Sequence, residues 1–192
     1  MNRKTIVVYG ASSPRVEEVF SNAAYRLGKL LADSGRSLVT GAGVSGLMAC
    51  VEDGSLDNGG HVIGVIPEFM IEKGWMHNGL SEIIRTQDMH QRKEKMAGLA
   101  DAVVALPGGT GTLEELLEII TWKMLGLFSK PVIILNTDGY YNPLLKMLDN
   151  AVERNFMNEA FLSAWDVADT PEQVIEIIDK AREWECPIDK YN

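Results

Sequence analysis

The amino-acid sequence predicts an α/β fold in which a mainly parallel sheet is flanked by helices. Two observations carry that expectation. Short apolar or β-branched runs recur along the chain, several of them nearly continuous, as strands covered on both faces require. Between them lie longer amphipathic stretches, most of them opened by a glycine or polar turn, and strict alternation of the two builds parallel strands joined by right-handed crossovers.

In chain order, TIVVYG (5–10) leads through the turn YGASS into an amphipathic segment at 15–34. SLVTG (37–41) leads through TGAGVSG into a helical pattern at 45–58. HVIGVIP (61–67) and EIIRT (82–86) are the next two strands, and the second runs into a helix at 89–99. DAVVALPG (101–108) opens the turn LPGGTGT and a helix that begins near Thr112 and continues to 126. PVIILN (131–136) is the last strand expected, followed by helices at 140–154 and 171–185. No fixed-period repeat, low-complexity tract or long charged block divides the chain. Residues 1–192 therefore read as a single Rossmann-like domain, a three-layer sandwich with its sheet in the middle. Ligands of such sheets sit outside the carboxyl ends of the strands, where loops meet helix N-termini. That rule singles out YGASS, TGAGVSG and LPGGTGT.

Composition narrows the partners. With 192 residues, 46% of them hydrophobic, the chain can bury one good core. A formal charge of −9 repels nucleic acid and anionic membrane surfaces, so any phosphate must be captured locally. Cys50 and Cys186 have neither metal-ligand nor C-x-x-C spacing and read as inert thiols. His61, His77 and His90 show no ligand spacing either, so no metal is expected. The N-terminal apolar run is too short for a signal peptide, and no stretch approaches a membrane span. A cytoplasmic protein is the expectation.

The three turns differ in what they say. GAGVSG (41–46) matches G-x-G-x-x-G but follows the second strand, and no acidic residue stands where a ribose would need it. It reads as a tight turn whose glycines, Gly43 among them, let a backbone or a ligand come close. YGASS offers the Ser12 hydroxyl to the same edge, while Ser13 either does likewise or caps a helix ahead of Pro14. In the third turn, Gly108, Gly109 and Gly111 leave main-chain N–H groups open to an anion, the following helix aims its positive end there, and Thr110 and Thr112 add hydroxyls. That is a phosphate cradle, without the lysine of a P-loop. Thr112–Glu115 can be a capping box that makes Glu115 structural, or Glu115 can stand beside the sugar of a bound nucleotide. Arg92 and Lys93, after EIIRT, can supply positive charge to the ligand or form a solvated basic face pairing with Glu94.

PGGTGTLEE (107–115) fits P-G-G-x-G-T-x-x-E, and MHQRK (89–93) fits M-x-x-R-K. Both patterns, in this order and separation, resemble the LONELY GUY family of cytokinin riboside 5′-monophosphate phosphoribohydrolases, once labelled "possible lysine decarboxylases". SGLM (45–48), VIGVIPEFM (62–70), ITWKMLG (120–126), KPVIILN (130–136) and DGYYNPLL (138–145) extend the likeness over most of the chain. The resemblance implies hydrolysis of the N-glycosidic bond of adenine-type nucleoside 5′-monophosphates, without a cofactor, by a homodimer or larger even assembly. It assigns catalysis to Arg92 and Glu115, and substrate binding to Lys93, Gly109, Thr110, Gly111, Thr112, Leu113, Glu114 and Thr121. Gly74 stands where many relatives carry a substrate-contacting glutamate, and Glu72 is the neighbouring substitute. Two other functions are compatible with such a loop. One is a nucleotide-binding module in which Glu115 only caps a helix. The other is a pyridoxal phosphate enzyme, for which Lys93 and Lys130 are the plausibly placed lysines.

Overall fold

The computed structural model of the chain describes residues 3–186. The two ends of the 1–192 span read as one domain lie outside the described residues. The elements run β1 (Thr5–Tyr9), α1 (Glu18–Asp33), β2 (Ser37–Thr40), α2 (Gly46–Leu56), β3 (His61–Pro67), α3 (Glu68–Glu72) and β4 (Glu82–Thr86). They continue with α4 (Met89–Leu99), β5 (Ala102–Ala105), α5 (Thr110–Met124), β6 (Val132–Leu135), α6 (Asn142–Glu153), β7 (Asp166–Ala168) and α7 (Pro171–Lys180).

The strands form one seven-stranded sheet in the order β4-β3-β2-β1-β5-β6-β7, with every neighbouring pair parallel. The chain winds outward from β1 to β4, returns to the other side of β1, and winds outward again. The reversal leaves a crevice at the carboxyl ends of β1 and β5, the place where such sheets bind ligands.

Side-chain alternation explains the three layers. Along β1, Ile6 and Val8 face a cluster built with Leu27 and Leu31 of α1, Leu47 and Val51 of α2, and Val174 and Ile178 of α7. Val7 and Tyr9 face the opposite cluster, with Met96 of α4 and Leu116, Ile119 and Ile120 of α5. Each central strand is apolar on both faces because each face is covered by helices. The edge strands β4 and β7 are largely open to solvent, and their sequences are correspondingly more polar.

All six expected strands form, five of them within a residue of their expected ends, while β5 stops at Ala105, three residues before the expected 108. Four local expectations are corrected, the first being the last helix, α7, which ends at Lys180, five residues before the expected 185. A seventh strand, β7, closes the β6 edge; three residues carry no periodicity from which to read it. Helix α1 begins at Glu18 with Glu17 as its N-cap, so Ser13 does not cap it; the Ser13 hydroxyl instead accepts the Arg15 N–H at 3.4 Å. Helix α5 begins at Thr110, two residues before the expected start, with Gly109 in extended conformation as N-cap. No helix among the described residues is long and apolar enough to cross a membrane.

Candidate active site

The turns after β1, β2 and β5 are tied to one another by backbone. Ala11 N–H donates to the Pro107 carbonyl at 3.1 Å, Met48 N–H to the Ala11 carbonyl at 3.2 Å, and the Ser45 hydroxyl to the Ser12 carbonyl at 2.7 Å. From behind, the hydroxyls of Tyr140 and Tyr141 donate to the Gly108 and Leu106 carbonyls, each at 2.7 Å. The DGYYNPLL stretch thus pins the glycine turn in place. Gly108 belongs to this support: a Cβ there would lie 2.1 Å from the Thr112 hydroxyl, which folds back over it.

Between the turns lies a cleft of about 350 Å³ whose walls include Ser12, Ser13, Arg92 and Glu115, with Gly109–Thr112 at one end. The first backbone bond of α5 is Leu113 N–H to the Gly109 carbonyl, 3.0 Å, and no side chain caps the helix. The amides of Thr110, Gly111 and Thr112 therefore lack intrahelical acceptors and carry the positive end of the helix dipole, the arrangement that binds phosphate.

The helix start rules out one role for Glu115. With Gly109 as N-cap, the third helical position is Thr112, and Glu115 lies a full turn further along. It cannot close a capping box. Its side chain is instead directed inward, only 7% of the residue being exposed, and Oε1 stands 3.7 Å from Nη2 of Arg92. Burial pushes the Glu115 pKa above the ordinary carboxylate value, Arg92 pulls it down, and Glu114 pushes it up again.

Arg92 comes from α4, whose start is capped by the Asp88 carboxylate accepting the Gln91 N–H at 2.9 Å. It is 5% exposed, its Nη1 donates to the Met89 sulfur at 3.6 Å, and its Nε has no partner. The guanidinium lies directly on the backbone of Gly41: a Cβ at that position would sit 1.6 Å from Nη2. The close approach permitted by the second glycine turn is therefore taken up by this arginine. Gly46, with φ 72°, lets the same turn pack on Ala11 and Ser12.

Not every expected residue reaches the cleft. Glu114 lines it, but Lys93 points the other way, with Nζ held by Glu114 and by Glu118 at 3.0 Å. Burial works against the Lys93 charge, and the two carboxylates more than restore it, leaving the pKa raised. The Thr121 hydroxyl donates to the Leu117 carbonyl at 2.7 Å from an exposed position further along α5. Leu113 packs against the second apolar cluster, and Gly108 serves the cradle from behind. Gly43 lines an adjoining cavity of about 290 Å³ with Met48, Met70 and Trp75, and its N–H donates to the Met48 sulfur at 3.0 Å. Gly74 has φ 72° with open space around it, and Glu72 is exposed and lines neither cavity. Lys130 is half-buried, lines neither cavity and is paired with Glu183. Neither lysine required by pyridoxal chemistry faces the cleft, so the site does not fit that cofactor.

Other site residues were not expected. Met48, Met70 and Met89, from α2, α3 and α4, form an apolar wall of the cleft. Tyr9 ends β1 beneath the Arg92–Glu115 pair, its phenol driven well above the ordinary range by burial and then by Glu115. Met48, Met70 and Met89 fall inside stretches that carry the family likeness, but lone methionines in three separate helices give no pattern that points to a common wall. Among the described residues, no group of three or more His, Cys, Asp or Glu is arranged to hold a metal ion.

The family described as "Possible lysine decarboxylase" matches residues 48–178, a span that includes both the α4 motif and the glycine turn. A probable cytokinin riboside 5′-monophosphate phosphoribohydrolase of Oryza sativa subsp. japonica is 43% identical over 177 residues, covering 92% of this chain and 72% of its own. Another from the same plant is 44% identical over 181 residues, covering 94% and 84%. A cytokinin riboside 5′-monophosphate phosphoribohydrolase of Arabidopsis thaliana is 47% identical over 153 residues, covering 80% and 71%. Among solved structures, a molybdenum cofactor binding protein of Rippkaea orientalis aligns with TM-score 0.72 and 27% identity over 93% of this chain and 97% of its own. The molybdenum cofactor carrier protein of Chlamydomonas reinhardtii aligns with TM-score 0.71 over 93% and 98%, and at 24% identity it speaks to the fold alone.

Proposed function

The chain belongs to the LONELY GUY family of cytokinin riboside 5′-monophosphate phosphoribohydrolases, and from that premise we propose that it is an N-glycosyl hydrolase acting on adenine-type nucleoside 5′-monophosphates. Its products are the free base and ribose 5-phosphate. The observation that carries the reading is the meeting, in one cleft, of the open amides of α5 with a buried arginine–glutamate pair.

The 5′-phosphate binds at the amides of Thr110, Gly111 and Thr112, with hydroxyls of Thr110 and Ser12 beside them. That remote grip holds the anomeric carbon at Glu115. Breaking the C–N bond builds positive charge on the sugar, and a nearby carboxylate stabilises that charge more in the transition state than in the ground state. Glu115 is that anion. It also takes a proton from the attacking water, whose oxygen bonds the anomeric carbon as the C–N bond breaks, while the base departs with the bonding electron pair and picks up a proton from solvent. Arg92 is within ionic reach of Glu115 but beyond hydrogen-bond length, so it favours the charged carboxylate without occupying its lone pairs. The base extends toward Met48, Met70 and Trp75, whose cavity suits an apolar substituent on it. In solution the protein is an even homo-oligomer, which light scattering tests.

The test of the reaction is chromatography of the products from AMP, N6-isopentenyl-AMP and other nucleoside 5′-monophosphates. Free base and ribose 5-phosphate in equal amounts are expected from the adenine nucleotides. Binding without release of base would leave a nucleotide-binding module as the better account.

A further inference from the structure

Among the described residues, Glu52 is the one acid with no solvent exposure, yet it stands outside the cleft, in the middle of α2. One of its carboxyl oxygens, Oε1, accepts the Thr40 hydroxyl, and the other, Oε2, is buried without a partner. A buried carboxyl with one unsatisfied oxygen costs stability, and an apolar side chain of similar volume would pack there at less cost. Something other than packing accounts for it.

The next links of the chain of contacts lead to the cleft. The Thr40 hydroxyl accepts the Ala42 N–H at 3.0 Å, closing the bend between them. Ala42 has φ 60°, the left-handed region that a residue with a side chain enters only at an energetic cost, so this turn needs an outside constraint. The Ala42 carbonyl accepts the His77 N–H at 3.0 Å, which fastens the segment after α3 to the turn. Gly41, held between Thr40 and Ala42, is the residue on which the Arg92 guanidinium rests.

We propose that Glu52 is a positioning residue for the reaction: through Thr40 it fixes the Thr40–Ala42 turn, and that turn seats Arg92 against Glu115. The contact passes through the sheet. Glu52 and Thr40 lie on the α2 side, Arg92 on the α4 side, and the turn at the end of β2 joins them.

The activity readout rests on the proposed function, so wild-type base release from AMP is the control for that reading. Glu52→Gln keeps an acceptor for Thr40, and Glu52→Met keeps the volume and removes the acceptor. Thr40→Ser and Thr40→Val make the same comparison from the other end. The measurements are thermal unfolding, AMP affinity by calorimetry, and kcat and KM. Glu52→Met and Thr40→Val are expected to fold and bind AMP like wild type while kcat falls about tenfold or more. Glu52→Gln and Thr40→Ser are expected to restore kcat, and the Met/Val double variant to lose no more than either single variant. Wild-type kcat in Glu52→Met, failure of Gln to restore it, or additive losses would overturn the proposal. If Glu52→Met does not fold, the Thr40 pair decides by the same criteria. Should the wild type release no base, the functional reading falls alone, and crystal structures still test the positioning: Arg92 displaced from Gly41 in Thr40→Val supports it, and Arg92 unmoved refutes it.

Discussion

Nη2 of Arg92 stands 3.7 Å from Oε1 of Glu115, with both residues less than a tenth exposed. Two opposing effects meet in that pair. Burial disfavours the carboxylate and the guanidinium favours it, so the charge state of Glu115 depends on Arg92 staying where Gly41 lets it lie.

Removing the cation should therefore move the acid limb of the rate profile. In Arg92→Met the burial that raises the Glu115 pKa persists, and the largest influence lowering it is gone. In the proposed mechanism hydrolysis needs the ionised carboxylate, so half-maximal kcat on the acid side is expected at higher pH than in wild type, with reduced kcat at neutral pH. The profile of kcat against pH for the two proteins checks this, and an unmoved acid limb would contradict it.

Two glycines of the same turn should fail in different ways. A Cβ at Gly41 meets the far end of the Arg92 side chain, which can swing aside, so Gly41→Ala should fold nearly as stably as wild type and lose activity as an Arg92 variant does. A Cβ at Gly46 meets the Ala11 carbonyl at 2.4 Å, and the residue has φ 72°. Gly46→Ala should therefore lower the melting temperature, by about 1–3 kcal/mol in stability. Comparing unfolding and turnover in the two variants decides whether the turn serves Arg92 or only the fold.

The contrast between Arg92 and Lys93 shows what a linear pattern holds and omits. Adjacent residues on a helix point about 100° apart, so only one of the two could face the cleft. M-x-x-R-K carries both without saying which; the α4 backbone turns Arg92 inward and leaves Lys93 to Glu114 and Glu118. The strands were readable because β1, β2, β5 and β6 are apolar on both faces, whereas β7 is three residues with Asp166 and Val167 exposed. Three glycines made residues 108–111 read as loop and made Thr112 look like the cap. Orphan amides tolerate glycine in a first helical turn, so the helix starts at Thr110 and the capping box disappears. The methionine wall had no linear signal, since its three members are brought together only by the winding of the sheet.

Stability should fall with rising pH because of Glu52. Its pKa goes from the ordinary 4.5 to about 8 on folding, chiefly through burial, with Thr40 working against the rise and Asp53 adding to it. Between those values the folded chain holds a proton that the unfolded chain has released, so this contribution is complete below about 4.5 and is lost as pH climbs to about 8. The loss is bounded by roughly 5 kcal/mol. Denaturant unfolding at several pH values should show the gap between Glu52→Gln and wild type changing in favour of the variant across that window; a constant gap would be the contrary result.

On the proposed reading, the cradle makes the 5′-phosphate essential. Adenosine should be hydrolysed far more slowly than AMP, with the deficit in kcat as well as KM, because the phosphate grip is what holds the sugar at Glu115. Equal kcat/KM for nucleoside and nucleotide would remove the amides of Thr110–Thr112 from the account.

The most direct measurement is base release by Glu115→Gln beside its affinity for AMP. The variant is isosteric, and Glu115 caps nothing at the start of α5, so folding and nucleotide binding should survive while kcat falls by a factor on the order of 10² or more. Turnover close to wild type, with binding intact, would contradict the assignment of Glu115 to the reacting sugar.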